Sequence, residues 1–83
     1  MPERRATARD VLNRLRWGPG GNELAEAEIV IIHRGAPNDE RTVAGAEVLR
    51  LGRGSFETVG TSIPYHRVLR VTLRGETLYA RNP

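Results

Sequence analysis

Val68-Leu69-Arg70-Val71-Thr72-Leu73-Arg74-Gly75-Glu76-Thr77-Leu78-Tyr79-Ala80-Arg81 is the stretch that decides the fold. Val68 to Arg74 alternates, with Leu69, Val71 and Leu73 to one side and Arg70, Thr72 and Arg74 to the other. That is the period of a strand with one buried face. Arg74-Gly75-Glu76 turns the chain, and Thr77 to Arg81 returns with Leu78 and Ala80 matched to one face. The pair reads as an antiparallel hairpin. Upstream, Ala27 to His33 reads as a strand buried on both faces in its middle, Ile29-Val30-Ile31-Ile32. Glu47 to Arg53 alternates, with Leu49 and Leu51 on one face and Arg50 on the other, and Gly54 breaks it. Ser55 to Val59 is a short strand before a Gly60-Thr61 turn, and Thr42 to Glu47 is either a short strand or a turn. Pro64 lacks the donor a central ladder needs, so Ile63-Pro64-Tyr65-His66 reads as an extended entry into a short helical turn.

The remaining well-determined element is amphipathic. Ala8, Val11, Leu12 and Leu15 recur at i, i+3, i+4 and i+7 and predict a helix from about Thr7 to Arg16. Thr7 and Asp10 have the spacing of a capping box. Asp10 and Arg14 form an i, i+4 pair, while Arg9, Asn13 and Arg16 fall on the outer side. Gly18-Pro19-Gly20-Gly21 ends the helix, and Glu23 to Glu28 suits a short helical turn. Eighty-three residues support one domain with a small core. The expected fold is α+β over residues 1–83, one N-terminal helix packed on a curled antiparallel sheet or a partly open small barrel of about five strands.

The chain has 13 basic side chains, all Arg, against 10 acids, for a net charge of +3. A GC-rich genome also exchanges Lys for Arg, so the positions carry more information than the number. Arg16-Trp17, His33-Arg34-Gly35, Arg53-Gly54, His66-Arg67 and Arg74-Gly75 place arginines beside Gly, His or Trp. The guanidinium is a planar fork that fits phosphate and stacks on bases. With no Cys, a disulfide scaffold, a Cys-ligated zinc and a thiol nucleophile are excluded. The longest aliphatic run is too short to span a bilayer, so no membrane contact and a cytoplasmic location are expected.

Two loops concentrate the candidate chemistry, His33-Arg34-Gly35-Ala36-Pro37-Asn38-Asp39-Glu40 and Ile63-Pro64-Tyr65-His66-Arg67-Val68. Each holds one of the two histidines, followed by an Arg, and two such pairs can bracket a phosphate. Gly35 would let a backbone amide approach an anion. The alternative for each His is a hydrogen-bonded residue at a strand end. Two histidines can also open a cyclic phosphate as acid and base. Neither His, however, has a nearby Ser or Thr of the kind that two-histidine phosphoesterases carry. No catalytic residue, metal site or cofactor is expected; Asp39 and Glu40 are adjacent, with His33 the nearest imidazole. Gly52-Arg53-Gly54 is too short for a nucleotide fingerprint. Trp17 is either a core anchor or a base-stacking platform, and Tyr65 has the same two readings. Tyr79 and Phe56 read as packing residues. Arg50, Arg70 and Arg74 form either a basic sheet face or an ordinary solvated one.

Three strings, Asp10-Val11-Leu12-Asn13-Arg14-Leu15-Arg16-Trp17, His33 to Glu40 and Ile63-Pro64-Tyr65-His66-Arg67-Val68-Leu69, resemble in order and spacing the RNA cyclic-group end recognition domain. The resemblance covers nearly the whole chain. It implies recognition of RNA ends bearing a 2′,3′-cyclic phosphate or a related terminus, in RNA processing or repair. It carries the family's polar motif positions onto Asn13, Arg14, Trp17, Arg34, Asp39, His66 and Arg67. It also implies a stand-alone form of a domain elsewhere joined to phosphoesterase or nucleotidyltransferase modules, with an RNA-processing enzyme as a possible partner. Family members often have a longer Asp- and Pro-rich segment where this chain has Gly18-Pro19-Gly20-Gly21-Asn22.

The expected function is therefore a non-catalytic module that binds single-stranded RNA or a 3′ end. Arg34 and Arg67 are the expected phosphate forks, with His33 beside them. His66 donates to a phosphate oxygen, more strongly when protonated. Asp39 orients an Arg or accepts from a ribose hydroxyl, and Trp17 or Tyr65 stacks on the terminal base. The rival is an assembly module in which Arg14, Arg34 and Asp39, with the histidines, form a structural network; a cyclic phosphate phosphoesterase is third.

Overall fold

The computed structural model describes residues 7–81. Helix α1 (Ala8–Trp17) and a 3₁₀ turn (Glu23–Glu26) lead into β1 (Ala27–Ile32). A 3₁₀ turn (Pro37–Asp39), β2 (Glu40–Ala44) and another 3₁₀ turn (Gly45–Glu47) follow. Then come β3 (Val48–Leu51), β4 (Ser55–Thr58), β5 (Thr61–Pro64), a 3₁₀ turn (Tyr65–Arg67), β6 (Val68–Leu73) and β7 (Glu76–Ala80). The fold is α+β, as expected, but with seven strands rather than about five. They form two antiparallel sheets, β2-β1-β6-β7 and β3-β4-β5, which do not close into a barrel. The chain changes sheet twice, at Gly45–Glu47 and at Tyr65–Arg67, and each change is made through a 3₁₀ turn. A 3₁₀ turn bends the backbone out of ladder geometry, which separates the two sheets. Pro64 ends β5, an edge strand, where its missing donor costs no ladder bond.

The helix forms as its sequence dictates. The Asp10 amide donates to the Thr7 hydroxyl and the Thr7 amide to the Asp10 carboxylate, each at 3.1 Å, completing the capping box. Ala8, Val11, Leu12 and Leu15 are buried, and Leu12 has no exposed surface. They pack with Leu24, Ile29, Val43, Phe56, Val68 and Val71 into one core between the helix and the sheets. Tyr79 packs against the same core, so Phe56 and Tyr79 are packing residues.

Strict alternation fails at three β-bulges. The register steps from Val30↔Arg70 to Ile31↔Val68, from Val71↔Tyr79 to Thr72↔Thr77, and from Val48↔Thr58 to Arg50↔Glu57. Each step skips a leucine, Leu69, Leu78 and Leu49, and an extra residue in a strand is turned off its face. Val68 therefore replaces Leu69 in the core, Tyr79 replaces Leu78, and Leu49 is 59% exposed, apart from Leu51. β1 buries one face, Ala27, Ile29 and Ile31; Glu28 is exposed and Val30 and Ile32 are half-buried.

Gly45 is buried where the first sheet crossing meets the 3₁₀ turn Glu23–Glu26, and a Cβ there would collide with the Leu24 carbonyl oxygen. Gly45→Ala is expected to lower the denaturation midpoint, because backbone rather than a flexible side chain must move. Leu12→Ala is expected to cost about 2–5 kcal/mol in a denaturant titration followed by circular dichroism. A loss below about 1 kcal/mol would contradict full burial of that side chain.

Candidate functional site

The β1–β6 ladder builds the site. Its last pair is Ile31↔Val68, and directly beyond it Arg67 Nη2 donates to the Ile32 carbonyl at 2.6 Å. His33-Arg34 and His66-Arg67 therefore leave the sheet at the same end, although they lie far apart in sequence. Arg34 and His66 are exposed, and His33 and Arg67 are half-buried.

The His33–Asp39 loop holds itself. The His33 amide donates to the Asp39 carbonyl (2.7 Å), the Asp39 amide to the Ala36 carbonyl (2.8 Å), and the Gly35 amide to Asp39 Oδ1 (3.3 Å). Asn38 and Asp39 take positive φ of 58° and 55°, a conformation Asn and Asp tolerate better than other residues with a side chain. The Gly35 amide, expected to face an anion, is thus turned to the Asp39 carboxylate. Asp39 latches the loop and makes no ion pair with Arg34 or Arg14 among the described residues. The structural Arg14–Arg34–Asp39 network anticipated for an assembly module does not form, because Arg14 lies at the other end of the helix.

The 3₁₀ turn Tyr65–Arg67 is the centre of the cluster. With about three residues per turn, successive side chains point roughly 120° apart, so Tyr65 and Arg67 reach different segments while His66 faces outward. The Tyr65 hydroxyl donates to the Gly52 carbonyl at 2.8 Å, and its amide to the Gly54 carbonyl at 3.2 Å. Arg53 stands exposed between those glycines. The Arg9 guanidinium, from the first turn of α1, interacts with the same hydroxyl. Arg81 Nη1 donates to the His66 carbonyl at 2.8 Å, and Arg67 reaches Ile32. Tyr65 packs its ring on Phe56, with centroids 5.8 Å apart, so it anchors the turn to the core.

Arg14 and Trp17 are elsewhere. Arg14 lines a pocket of about 280 Å³ with Val11, Leu15, Glu23, Leu73 and Leu78, at the far end of β6. Trp17 is 72% exposed, with the Arg16 guanidinium 5.1 Å from its ring centroid, so it is no core anchor. The helix rises about 12 Å from Arg9 to Trp17, which separates Trp17 from the His-Arg loops. Asn13 is half-buried and donates its side-chain amide to the Arg9 carbonyl at 2.9 Å, which steadies the first turns of the helix.

The basic sheet face read from Arg50, Arg70 and Arg74 does not exist. Arg70 pairs with Glu40 at 3.0 Å, and Arg74 holds Glu26 at 2.8 Å and Glu23 at 3.3 Å. Arg50 lies on the other sheet, opposite Glu57. The ion pairs that raise Arg74 above its ordinary range serve the hairpin turn. By contrast, Arg9, Arg34, Arg53, Arg67 and Arg81 form no ion pair with a described carboxylate. Arg9 and Arg81 escaped the sequence reading. Arg9 shares a helix stripe with Asn13, which is a weak signal, and the position of Arg81 depends wholly on the β6–β7 register.

The class so defined is a small α+β domain that gathers arginines and histidines around one short turn. The chain belongs to the family of the MJ1316 RNA cyclic group end recognition domain, whose model matches residues 5–81. It is 37% identical over 68 residues to a UPF0248 protein of Pyrococcus abyssi, covering 82% of this chain and 80% of that one. The identity to a UPF0248 protein of Thermococcus kodakarensis is 37%, over 82% of each chain. To a UPF0248 protein of Methanococcus maripaludis it is 35%, over 88% of this chain and 96% of the relative. No solved structure matches.

Burial raises the Tyr65 phenol above its ordinary 10.0, and Arg9 partly offsets that shift. The folded protein therefore keeps this proton at a pH where the unfolded chain loses it. The resulting stability is complete below the unfolded value and disappears as pH rises through the folded one. Tyr65→Phe should cost about 0.5–1.5 kcal/mol at neutral pH, through the lost Gly52 bond. Denaturant titrations between about pH 8 and 11 should show the gap between wild type and variant closing as pH rises. A gap independent of pH would mean that Tyr65 ionises equally in both states.

Proposed function

We propose that this domain holds a phosphate-bearing RNA 3′ end, a 2′,3′-cyclic phosphate or a related terminus, without cleaving it. The observation that carries the reading is the convergence of His33-Arg34 and His66-Arg67 at one end of the β1–β6 ladder. Arg67 is fixed on one edge by the Ile32 carbonyl, which orients the guanidinium and leaves further donors for phosphate oxygens. Arg34, exposed and without a described carboxylate partner, supplies the second fork. His66 adds a donor beside them. The family supports the ligand class, since its description names RNA cyclic group end recognition.

Two imidazoles at one site also suit acid–base opening of a cyclic phosphate, the second reading. Such chemistry needs each ring held in one tautomer by a partner. Among the described residues no side chain bonds either imidazole, and their main-chain atoms carry the contacts instead. This favours binding over turnover. The domain would then deliver its ligand to an RNA-processing enzyme.

The test is a titration with matched oligonucleotides ending in 2′,3′-cyclic phosphate, 3′-phosphate or 3′-hydroxyl. Phosphate-bearing ends should bind more tightly, and the cyclic end should be recovered intact. Arg34→Ala should weaken binding of those ends by about 1.5–3 kcal/mol and change the hydroxyl end less. Arg67→Lys keeps a donor for Ile32 and loses the fork, so it should act in the same direction without unfolding the protein. Equal binding of the three ends by wild type would refute end recognition, and hydrolysis of the cyclic end would establish the second reading.

A further inference from the structure

The Tyr65 side of the turn is not used by the end-binding site, and its chemistry is that of a second phosphate subsite. Three observations meet there. First, Arg9 approaches the Tyr65 hydroxyl from α1. Second, the Gly52-Arg53-Gly54 loop is pinned to Tyr65 at both glycines, by the hydroxyl bond to the Gly52 carbonyl and the amide bond to the Gly54 carbonyl. This fixes the backbone of a loop whose central side chain, Arg53, is exposed. Third, neither Arg9 nor Arg53 forms an ion pair with a described carboxylate, whereas Arg70 and Arg74 are paired.

Gathering like charges without partners disfavours the compact state unless a counter-charge arrives. Arg9, against the half-buried Tyr65, and Arg53, on the loop bonded to that residue, are two exposed cations without a carboxylate partner among the described residues, and their guanidiniums can close as a bracket on one anion. The bracket shares the turn Tyr65–Arg67 with the terminal site, so the anion that reaches both on one ligand is the next phosphate of an RNA chain. We infer that Arg9 and Arg53, gathered at Tyr65 while its hydroxyl holds the Gly52 carbonyl, bind the backbone phosphate on the 5′ side of the terminal nucleotide, so that the domain grips at least two successive phosphates. The inference rests on the end-binding reading for its direction along the strand, and not for the subsite itself. The subsite reads backbone charge and contributes nothing to the choice among ends.

The test compares Arg53→Ala and Arg9→Ala with wild type on two ligands, a mononucleoside 2′,3′-cyclic phosphate and a tetranucleotide with the same end. Both residues are exposed, and matching thermal melts would verify the fold. Each variant should bind the tetranucleotide about tenfold more weakly, the loss of one charge-assisted contact. Its salt slope should fall by roughly 0.7, the share of one phosphate on a single strand. Binding of the mononucleotide, and the ratio between cyclic and hydroxyl ends, should not change. Should Arg9→Ala lower the melt through α1, Arg53→Ala decides alone. The proposal is overturned if both ligands weaken together, if neither does, or if wild type binds no RNA. If wild type shows no end preference and Arg53→Ala still weakens only the tetranucleotide, end recognition fails and the backbone subsite stands.

Discussion

The antiparallel pairing of β1 with β6 supports everything else in this molecule. These are the two inner strands of the four-stranded sheet, and their paired residues Ile29 and Val71 are fully buried. The helix packs into the same core with Leu12, and the outer strands β2 and β7 hang from the pair. The same ladder decides where the candidate site residues meet. Its end at Ile31↔Val68 determines that the loop after β1 and the turn before β6 emerge together. The Arg67–Ile32 bond then joins segments 35 positions apart. Moving the register by one residue would turn each side chain to the other face and lose both core and site.

The short turn Tyr65–Arg67 connects the architecture with the proposed binding site. It carries the chain from the three-stranded sheet back to the four-stranded one, and the tight winding needed for that crossing sends the Tyr65 and Arg67 side chains to two segments while the His66 carbonyl receives Arg81 from a third. Each contact is either made by an arginine or flanked by one. Two sets of described arginines contrast accordingly. Arg70 and Arg74 lie over carboxylates and brace the sheet and its hairpin, in exposed pairs worth little individually. Around the turn, Arg67 and Arg81 donate to carbonyls and Arg9 meets the tyrosine, and none of these pairs with a described carboxylate. A carbonyl fixes a guanidinium without neutralising it, so the charge stays available to an anion.

The three bulges show how an alternating sequence is modified by packing. Leu49, Leu69 and Leu78 all satisfy a simple inward pattern, and all three are the residue skipped by the register. A small core enclosed by a helix and two twisted sheets has no room for a leucine at every inward position. The bulge increases the local twist and lets a neighbouring Val or Tyr fill the space. In β6 this substitution sets Val68 at the end of the ladder, and so fixes the step from strand to turn on which the site depends.

Local sequence determined the elements whose cause is itself local. The capping box, the apolar stripe of α1, the Arg74-Gly75 turn and the effect of Pro64 were all legible because each depends on residues within a few positions. The candidate residues Arg34, His66 and Arg67 were legible as well, as paired motifs in loops, and their resemblance to a known family added a ligand class. Tertiary structure alone decided which arginines are neutralised, since Arg74 meets Glu26 across 48 positions and Arg70 meets Glu40 across 30. It alone moved Arg14 and Trp17 away from the His-Arg loops, and brought Arg9, Arg53 and Arg81 to the turn. The reason is physical: charge pairing and ligand geometry depend on distances set by strand register and helix placement, which follow from packing the whole core and leave no local mark on the chain.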